Sequence, residues 1–393
     1  MPNVVDLHSA ADSRDIVHQA VEMLSDGQLV VLPANGSYSV AGLCLQEEML
    51  QRLNRTAIDS HLSVTFGRGD EVLDYLPAAH DTVRRLIKRA WPGRLEICVP
   101  TEDSGGLLNA WPEAVRAAVL RDGWLRLRSP AEKVVQEILR LASAPLLMTT
   151  TCGCDAQSAV PRGAGRDSPE LGGPAAAQSA VGLEEILAAA KDEVGLYIDA
   201  GPCQDGNPCS TVAVRHGEWQ IVQNGVFSPG MVARMASRVV IFVCTGNTCR
   251  SPMAEAMFRK FLSDRLQCPD EELPGRGFVV LSAGLSAADG MPAAPEAVEQ
   301  LGLRGIDLGS HSSRPVTAEM LDQADHIYTM TASHREMILS ARPELADRTE
   351  LLSCDARDIP DPYAGTAEDY ARCREEIEKH LLQLLDRWLP SNS

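Results

Sequence analysis

The sequence lacks both features that would place it in or across a membrane. No apolar run reaches the length of a bilayer-spanning helix, and the strand-like run at 238–244 can be no more than a buried strand. The N-terminus has no basic flank followed by an apolar stretch, so no secretion signal is expected. We therefore expect a cytoplasmic protein with no membrane partner.

A disulfide framework and an excess of basic residues are missing as well. The 11 cysteines are odd in number and scattered over 393 residues, unlike those of small secreted domains, so reduced thiols are expected. The net charge is −18 at pH 7, and an acidic surface repels nucleic-acid phosphates. This charge disfavours non-specific nucleic-acid binding but leaves room for a local basic pocket that holds one phosphate group.

The length and the apolar fraction of 45% predict two or three globular domains of α/β class. The first is expected at 1–232 as an α+β domain with a mixed sheet, including a mobile Gly-, Pro- and Ala-rich loop at 161–180. A turn and short connector follow at 224–237, with the domain boundary at 232–237. Its predicted strands are 29–33, 94–100, 124–128, 145–151, 195–201, 210–215 and 218–223, and its predicted helices lie near 47–53, 114–120, 131–142 and 183–190.

The alternation of strands and helices restarts after the connector and predicts a second domain at 238–393. Strand–helix alternation of this length is typical of a doubly wound parallel sheet. The two blocks share no repeated motif. Strands are expected at 238–244, 278–284, 325–331 and 350–353, and helices from about Ser251, at 295–302 and at 367–389.

The string CTGNTCRS, which begins at Cys244, combines residue types suited to phosphate chemistry. Cys244 ends a predicted strand, and the following turn leads into a helix whose free N–H groups and positive dipole end face the turn. Gly246 and Asn247 tolerate the left-handed backbone that lets successive N–H groups converge on one anion. Arg250 adds a planar fork for two phosphate oxygens. Ser251 can cap the helix and donate a hydrogen bond to sulfur.

These features favour negative charge on a cysteine sulfur and on a transferring phosphoryl group. Since the thiolate is the nucleophilic form, Cys244 is a candidate catalytic nucleophile. In the turn-forming segment DIPDPYAG, Asp361 can serve as the general acid, and Tyr363 can wall the pocket. The expected reaction has two steps: sulfur attacks phosphorus while the leaving atom is protonated, and water then hydrolyses the phosphocysteine with Asp361 as the base.

Four motifs make the second domain resemble the low-molecular-weight protein tyrosine phosphatase family over 238–390. They are C-x5-R-S at 244–251, SAG at 282–284, HSSR at 311–314 and DPY at 361–363. The resemblance implies a phosphorylated protein as the substrate and no metal or other cofactor.

The same resemblance implies roles for single residues. Ser251 would stabilise the thiolate, and Ser282 and His311 would support the loop by bracing Asn247. The implied catalytic residues are Cys244, Arg250 and Asp361, and the implied phosphate-binding set is Thr245, Gly246, Asn247, Thr248, Cys249, Arg250 and Ser251.

The residue type at Thr248 bears on the substrate. Family members with a bulky aliphatic residue there resemble tyrosine phosphatases, whereas members with threonine in the same CTGNTCRSPMAEA context resemble bacterial protein-arginine phosphatases. Tyr363 fits either substrate, because its ring can stack on another ring or on a guanidinium plane. The sequence leaves both phosphotyrosine and phosphoarginine open, with Thr248 and Tyr363 as the pocket residues.

A sister family on this fold reduces arsenate with the help of additional cysteines. Its reductase pair is expected close together beyond the central strands, where Cys354 stands alone, and the retained DPY motif favours hydrolysis. Cys249 is instead a candidate for a reversible disulfide with Cys244, which would protect the nucleophile from further oxidation.

The first domain resembles the threonylcarbamoyladenylate synthase family over roughly 12–230, on the strings QLVVLPANGSYSVAG, AWPGRLEICV, WLRLRSP and CSTVAV. The resemblance implies a family that makes a tRNA-modification intermediate from threonine, bicarbonate and ATP. The retained family positions are Tyr38, Trp91, Pro92, Gly93, Arg128, Ser210 and Thr211.

The departures from that family fall where it handles substrates. Its proline–threonine–acid–threonine run reads PANG at 33–36, and its Lys-x-Arg pair is replaced by NRTA at 54–57. Its Ser-x-Asn motif reads TTC at 150–152, and its late arginine has become the Gln–Asn pair at 223–224. Because the lost residues are mostly charges that would hold ATP, we interpret the domain as a degenerate relative that serves as a binding or scaffolding module.

Two functions therefore compete at this stage. In the first, the second domain makes the protein a phosphoprotein phosphatase; in the second, the protein binds nucleotide or RNA, double-stranded RNA included, or retains synthase chemistry, and the phosphatase is accessory. Two cysteine pairs, Cys152 with Cys154 and Cys203 with Cys209, fit structural zinc spacings poorly, so free thiols are expected.

Overall fold

The computed structural model describes residues 2–9, 12–56, 61–120, 123–150, 182–190, 192–202 and 208–389, apart from the side chain of Thr150. The chain divides into two compact units, Met1–Met235 and Ala236–Ser393. The loop expected at 161–180 lies outside the described residues, as do Ala57, Thr151, Cys152, Cys154 and Cys203. None of the helices in the described ranges combines the length and the apolar character needed to span a bilayer.

A mixed ten-stranded sheet forms the centre of the first unit, as the sequence predicts. Its strands run in the order β1-β8-β2-β3-β7-β4-β6-β5-β9-β10, with both parallel and antiparallel pairs. The strands are β1 (Val4–Asp6), β2 (Leu29–Ala34), β3 (Ser37–Leu43), β4 (His61–Thr65), β5 (Leu95–Pro100), β6 (Trp124–Arg128), β7 (Leu146–Thr150), β8 (Val194–Asp199), β9 (Ser210–Arg215) and β10 (Glu218–Gln223).

The helices of this unit are amphipathic and cover the sheet. In α1, Ile16, Ala20 and Leu24 recur at helical spacing and are buried in one apolar cluster with residues of α5 and of four strands. The helices are α1 (Ser13–Ser25), α2 (Glu47–Arg55), α3 (Asp81–Ala90), α4 (Glu113–Val119), α5 (Lys133–Leu141), α6 (Leu183–Ala190) and α7 (Pro229–Ala236).

Part of the predicted connector is helical, which corrects the sequence-based expectation for 224–237. The helix α7 begins at Pro229, a residue whose fixed φ suits the first helical position. The hydroxyl of Ser228 accepts the N–H of Met231 at 3.3 Å, which satisfies one of the free donors at the helix start.

The second unit is built on a parallel sheet, which confirms the predicted fold class. The order is β12-β11-β13-β14, so the later strands add on both sides of β11, with β12 at one edge and β13 and β14 on the other side. The strands are β11 (Arg238–Cys244), β12 (Phe278–Gly284), β13 (His326–Thr329) and β14 (Thr349–Leu351). The helices are α8 (Arg250–Leu266), α9 (Pro295–Gly302), α10 (Ala318–Gln323), α11 (Ala332–Ala341) and α12 (Ala367–Trp388).

Both faces of this sheet are buried, which explains the uninterrupted apolar run in β11. Val240 and Phe242 pack into a cluster with α8, α9 and α12, whereas Val239, Ile241 and Val243 pack into a second cluster with α10 and α11. Because all four strands are parallel, their carboxyl ends lie at one edge of the sheet, the edge at which α/β proteins of this type bind ligands.

Candidate active site

The residues singled out in the second unit meet at the carboxyl edge of its sheet. β11 ends at Cys244 and α8 begins at Arg250, so a short loop joins a buried strand to the N-terminus of a helix. Gly284 at the end of β12 lies directly against this loop: a Cβ there would come within 2.6 Å of Thr245 O and 2.9 Å of Asn247 N. Only glycine fits such a close approach of two backbones.

The sulfur of Cys244 is buried among hydrogen-bond donors. The residue is 2% exposed, and Sγ accepts the N–H of Asn247 at 3.3 Å. The hydroxyl of Ser251 lies 3.0 Å from Sγ. Since Ser251 Oγ accepts from Asn247 Nδ2 at 2.9 Å, its own hydrogen can be donated to sulfur, the nearer of its two acceptors, or to Ala283 O at 3.4 Å. Donors placed in this way favour negative charge on the sulfur atom.

The capping role expected of Ser251 is wrong. Cys249 occupies the N-cap position without a side-chain hydrogen bond, and Ser251 lies in the first turn of α8. The expectation of a left-handed backbone holds for Asn247, with φ 53°, but not for Gly246, whose φ is not positive. In this loop, the left-handed backbone conformation is therefore adopted by Asn247 and not by the glycine before it.

Asn247 is fully buried, and all of its polar groups have partners. Besides the bonds to Cys244 and Ser251, its Nδ2 donates to Ser282 Oγ at 2.9 Å. Its Oδ1 accepts the N–H of Arg314 at 2.9 Å, and its backbone O lies 2.8 Å from His311 Nε2. The structure thus brings Ser282 and His311 to Asn247, where the sequence predicts them.

The network extends to Glu255, which the sequence analysis missed, and to the guanidinium of Arg314, the last residue of the HSSR motif. Ser282 donates to the carboxylate of Glu255, and Glu255 Oε1 lies 3.7 Å from the Arg314 guanidinium. Glu255 stands four residues after Ser251 on α8, so both side chains lie on the same side of the helix. That spacing is the one signal in the sequence that could have identified Glu255.

Arg250 and Asp361 form an ion pair at the mouth of the loop. The Arg250 side chain is 5% exposed, whereas that of Asp361 is 48% exposed. Arg250 also lies 3.4 Å from Ile359 O, and Asp361 Oδ1 accepts the N–H of Tyr363 at 3.2 Å. The predicted phosphate ligand and the predicted acid are therefore in direct contact.

Thr248 and Tyr363, the predicted pocket residues, have different surroundings. Thr248 is partly buried, its backbone O accepts the N–H of Ala294 at 2.9 Å, and its hydroxyl lies 3.6 Å from Cys249 Sγ. Tyr363 is 76% exposed, so its ring is available as a stacking surface.

The buried side chain of Cys249 lies against the phenol group of Tyr370. Its Sγ lies 3.3 Å from Tyr370 OH, and burial raises the pKa of the Cys249 thiol. A thiol held in its protonated form is a poor nucleophile. The reversible disulfide with Cys244 stays a prediction, and the eight cysteines that the structure describes are free thiols.

One group among the described residues brings potential metal ligands together, but it is better suited to ion pairing. Asp355, Glu376 and His380 place ligand atoms within 4.8 Å of one another. Nδ1 of His380 accepts the N–H of Cys354 at 3.2 Å, so in the neutral ring Nε2 carries the proton and cannot coordinate a metal. The hydrogen bond from Arg357 holds the pKa of Asp355 well below its usual range.

In the first unit, the residues retained from the synthase resemblance serve the sheet itself. The Arg128 guanidinium is buried and donates to Thr149 O at 3.0 Å and Ser39 Oγ at 3.3 Å, and burial lowers its pKa. Tyr38 OH donates to Gly201 O at 2.7 Å. These bonds tie Arg128 and Tyr38 to neighbouring parts of the same unit.

The PANG segment forms a tight hairpin between β2 and β3. Asn35 and Gly36 have φ of 56° and 77°, the two left-handed residues of a type I′ turn. The Asn–Gly pair is a strong hairpin signal, although the sequence analysis used it only as a departure from the family.

Comparison with known proteins agrees with this two-part description. The family model described as "Low molecular weight phosphotyrosine protein phosphatase" matches residues 239–391. A second family model, Sua5_yciO_yrdC, described as "Telomere recombination", matches residues 22–162. The two-domain resemblance drawn from the sequence is thereby confirmed.

Three curated relatives match the second unit over nearly their whole length. A protein-arginine-phosphatase of Bacillus subtilis (strain 168) is 38% identical over 149 residues, covering 37% of this chain and 93% of that protein. A probable low molecular weight protein-tyrosine-phosphatase EpsP of Ralstonia nicotianae is 32% identical, with 39% and 94% covered. The low molecular weight protein-tyrosine-phosphatase Etp of Escherichia coli (strain K12) is 30% identical, with 40% and 93% covered.

Proposed function

We propose that this chain, which belongs to the low molecular weight phosphotyrosine protein phosphatase family through residues 239–391, removes phosphoryl groups from protein side chains. The observation that carries the proposal is the environment of Cys244. Its sulfur accepts a backbone N–H and faces a serine hydroxyl at a helix N-terminus, with an arginine fork at the mouth of the loop. A buried thiolate beside phosphate-binding donors is suited to attack on phosphorus.

The first step transfers the phosphoryl group to sulfur. The substrate phosphate replaces Asp361 as the partner of the Arg250 fork, because a dianion competes well for a bidentate guanidinium. Cys244 Sγ forms a bond to phosphorus while the bond from phosphorus to the leaving atom breaks. Asp361 in its carboxylic acid form gives its proton to that leaving atom.

The second step restores the enzyme. A water oxygen attacks the phosphocysteine, and the carboxylate of Asp361 takes the proton of that water. The sulfur–phosphorus bond breaks, inorganic phosphate forms, and the sulfur leaves as a thiolate. Ser251 and the N–H of Asn247 stabilise that thiolate through the contacts described above.

Phosphoarginine is the substrate that we propose. Thr248 places a small side chain with a hydroxyl group on the loop, which suits a polar guanidine better than a bulky aliphatic residue would. The relative from Bacillus subtilis, at 38% identity, is named a protein-arginine-phosphatase. Phosphotyrosine is the second candidate, because the exposed Tyr363 ring can also stack on an aryl group.

The decisive measurement is a pair of kcat/KM values on peptides that carry phosphoarginine and phosphotyrosine. We expect the wild type to favour phosphoarginine and Thr248→Ile to lower that rate roughly 10-fold while raising the relative rate on phosphotyrosine. Thr248→Ser, which keeps the hydroxyl, is the matched control and retains the preference. Cys244→Ser abolishes both activities. A wild type that prefers phosphotyrosine, with Thr248→Ile unchanged, would overturn the assignment to phosphoarginine.

For the first unit we propose a binding or scaffolding role without synthase chemistry. The support is that Arg128 and Tyr38 are engaged by backbone and hydroxyl groups of the unit itself. Weak nucleotide or RNA binding, including double-stranded RNA, is the alternative role for this unit, and thermal stabilisation by ATP would support it. A cytoplasmic location fits the free thiols, since thiols stay reduced there.

A further inference from the structure

A buried histidine connects the phosphate loop with α11. His334 is 5% exposed and lies in the first turn of that helix. Its Nε2 lies 2.9 Å from Thr245 Oγ1. Thr245 directly follows the nucleophile in the chain and is itself exposed, so the contact joins the mouth of the loop to a buried ring.

Thr245 is held from two directions. On the side of β12, its backbone O accepts the N–H of Ser286 at 2.9 Å. On the side of α11, its hydroxyl meets His334. The chain that leads from Cys244 into the loop is therefore fixed by two backbone contacts, since Cys244 O also accepts the N–H of Leu285 at 3.0 Å, and by one side-chain contact, which depends on the imidazole.

The start of α11 is also tied to the segment that carries the general acid. Asp358 Oδ1 accepts the N–H of Ala332 at 2.7 Å, and the N–H of Ile359 donates to Met330 O at 2.9 Å. Thr331 Oγ1 caps the helix by accepting the N–H of His334 at 3.3 Å. His334 thus stands between the phosphate loop and the acid segment, and the start of its helix is bonded to the latter.

Burial is the main factor that favours the neutral form of the His334 ring. Burial, and after it the positive charge of Arg250 on α8, lower the pKa of His334, whereas the carboxylates of Asp361 and Asp358 oppose that shift. Nδ1 is buried and has no hydrogen-bond partner among the described residues. Among the described residues, Thr245 is therefore the one hydrogen-bond partner of the His334 ring.

We propose that His334 is a positioning residue for the phosphate loop. Its hydrogen bond with Thr245 sets the peptide that follows the nucleophile at a fixed place relative to the segment of Asp361. The inference rests on the proposed phosphatase function. His334 acts through Thr245 and touches neither the phosphorus atom nor the leaving group, so its loss alters the alignment of sulfur, phosphate and acid without removing any of them.

The test compares four variants on the phosphopeptide that the wild type hydrolyses faster. A misplacement of about 1 Å can cost about 100-fold in rate, so we expect His334→Ala to lower kcat roughly 10- to 100-fold with KM changed less than about 3-fold. His334→Gln, whose amide reaches the same place as Nε2, recovers most of kcat. Thr245→Val removes the hydroxyl at nearly constant shape and matches His334→Ala, and the double variant is no slower than either single one.

His326→Ala is the matched control. His326 is another histidine of this unit and is partly buried, but it packs on the rings of Tyr328 and Trp388 at the start of β13. This control loses stability while keeping kcat. An unchanged kcat in Thr245→Val, or a His334→Gln variant as slow as His334→Ala, would overturn the inference. Since Thr245 is exposed, Thr245→Val tests the contact even if His334→Ala fails to fold.

Binding of inorganic phosphate separates this inference from the proposed function. If the wild type hydrolyses neither phosphopeptide, the proposed function fails, but the full-length chain can still be titrated with phosphate. We expect His334→Ala and Thr245→Val to weaken phosphate binding by the same small factor, about 2- to 3-fold, in keeping with the small change in KM, and His334→Gln to restore it. Equal phosphate affinity in the wild type and all three variants would reject the positioning role on its own.

Discussion

At the scale of single residues, Asn247 determines most of the geometry around the nucleophile. Its backbone is left-handed, a conformation that costs an ordinary side chain roughly 1–2 kcal/mol. Its amide group offsets that cost by bonding Ser251, Ser282 and the backbone N–H of Arg314 at the same time. Asparagine is among the few residues that accept this backbone conformation and also supply both donors and an acceptor.

We expect the backbone and side-chain roles of Asn247 to be separable by two substitutions. Asn247→Gly keeps the left-handed backbone free of strain but loses the amide contacts, whereas Asn247→Ala loses both. Both variants should lose kcat, and Asn247→Ala should be less stable than Asn247→Gly by about 1 kcal/mol. Urea unfolding followed by phosphatase activity measures the difference. Equal stability of the two variants would show that the φ of Asn247 carries no cost.

The sequence predicted the residues of the site better than their partners. Cys244, Arg250 and Asp361 stand in short motifs, so their types and spacings carry the chemistry. Glu255 and His334 act through contacts with residues far along the chain, so the sequence marks Glu255 only by its helical spacing from Ser251 and His334 by no local pattern. The capping role of Ser251 was wrong because serine is a common N-cap residue and the helix was expected to start at about Ser251. The helix starts one residue earlier, at Arg250.

At the scale of elements, prediction succeeded for strands with a continuous apolar run and failed for elements whose apolar pattern is weak or interrupted by polar residues. The runs at 238–244 and 278–284 coincide with β11 and β12, because strands covered on both faces are continuously apolar. The sequence analysis missed α11, which buries only His334 and Ile338 and therefore shows weak periodicity. It also missed β3, whose hairpin partner is reached through two residues.

The aromatic cluster at the start of β13 gives this unit a pH-dependent stability. Burial, reinforced by Arg238, lowers the pKa of His326, so the folded state binds its proton less readily than the unfolded chain does. The stability that this contributes is fully present above the unfolded pKa, about 6.5, and is lost as pH falls from there through the lower pKa of the folded state. Asp325 and Glu350 oppose the shift, whereas Arg387 adds to it.

We therefore expect the free energy of unfolding to fall between pH 7.5 and pH 5.5 and to fall less steeply in His326→Phe. The phenyl ring keeps the contacts with Tyr328 and Trp388 but has no proton to bind. Urea midpoints by circular dichroism at several pH values check this, and the difference between the two proteins cancels the titration of other groups. Parallel pH curves for the wild type and His326→Phe would contradict the prediction.

At the scale of the whole molecule, the two units differ in how their polar groups are used. In the second unit, buried polar groups converge on one cysteine at the edge of the sheet. In the first, the Arg128 guanidinium donates to neighbouring strands. The alternation of strands and helices predicted the fold class of each unit. It did not predict whether buried polar groups surround a cysteine or bond neighbouring strands, because these contacts join residues far apart in the sequence.

We expect millimolar ATP to leave the melting temperature of the first unit unchanged, because a ligand that does not bind the folded state cannot stabilise it. The measurement is a thermal melt of the full-length chain. Arg250→Ala is included as the control, since the phosphate loop of the second unit could itself bind ATP phosphates. A saturable rise in melting temperature that persists in Arg250→Ala would show that the first unit holds a nucleotide.

The ion pair between Arg250 and Asp361 imposes an order on events in the catalytic cycle. Arg250 is almost wholly buried, so one strong anion at a time can occupy its exposed end. While Asp361 is that anion, it is a carboxylate with no proton to give. In the proposed reaction, a phosphate displaces Asp361 from Arg250, and the freed carboxylate takes up a proton from water before it acts as the general acid. In this proposal, Asp361 becomes a proton donor only after the substrate phosphate has bound to Arg250.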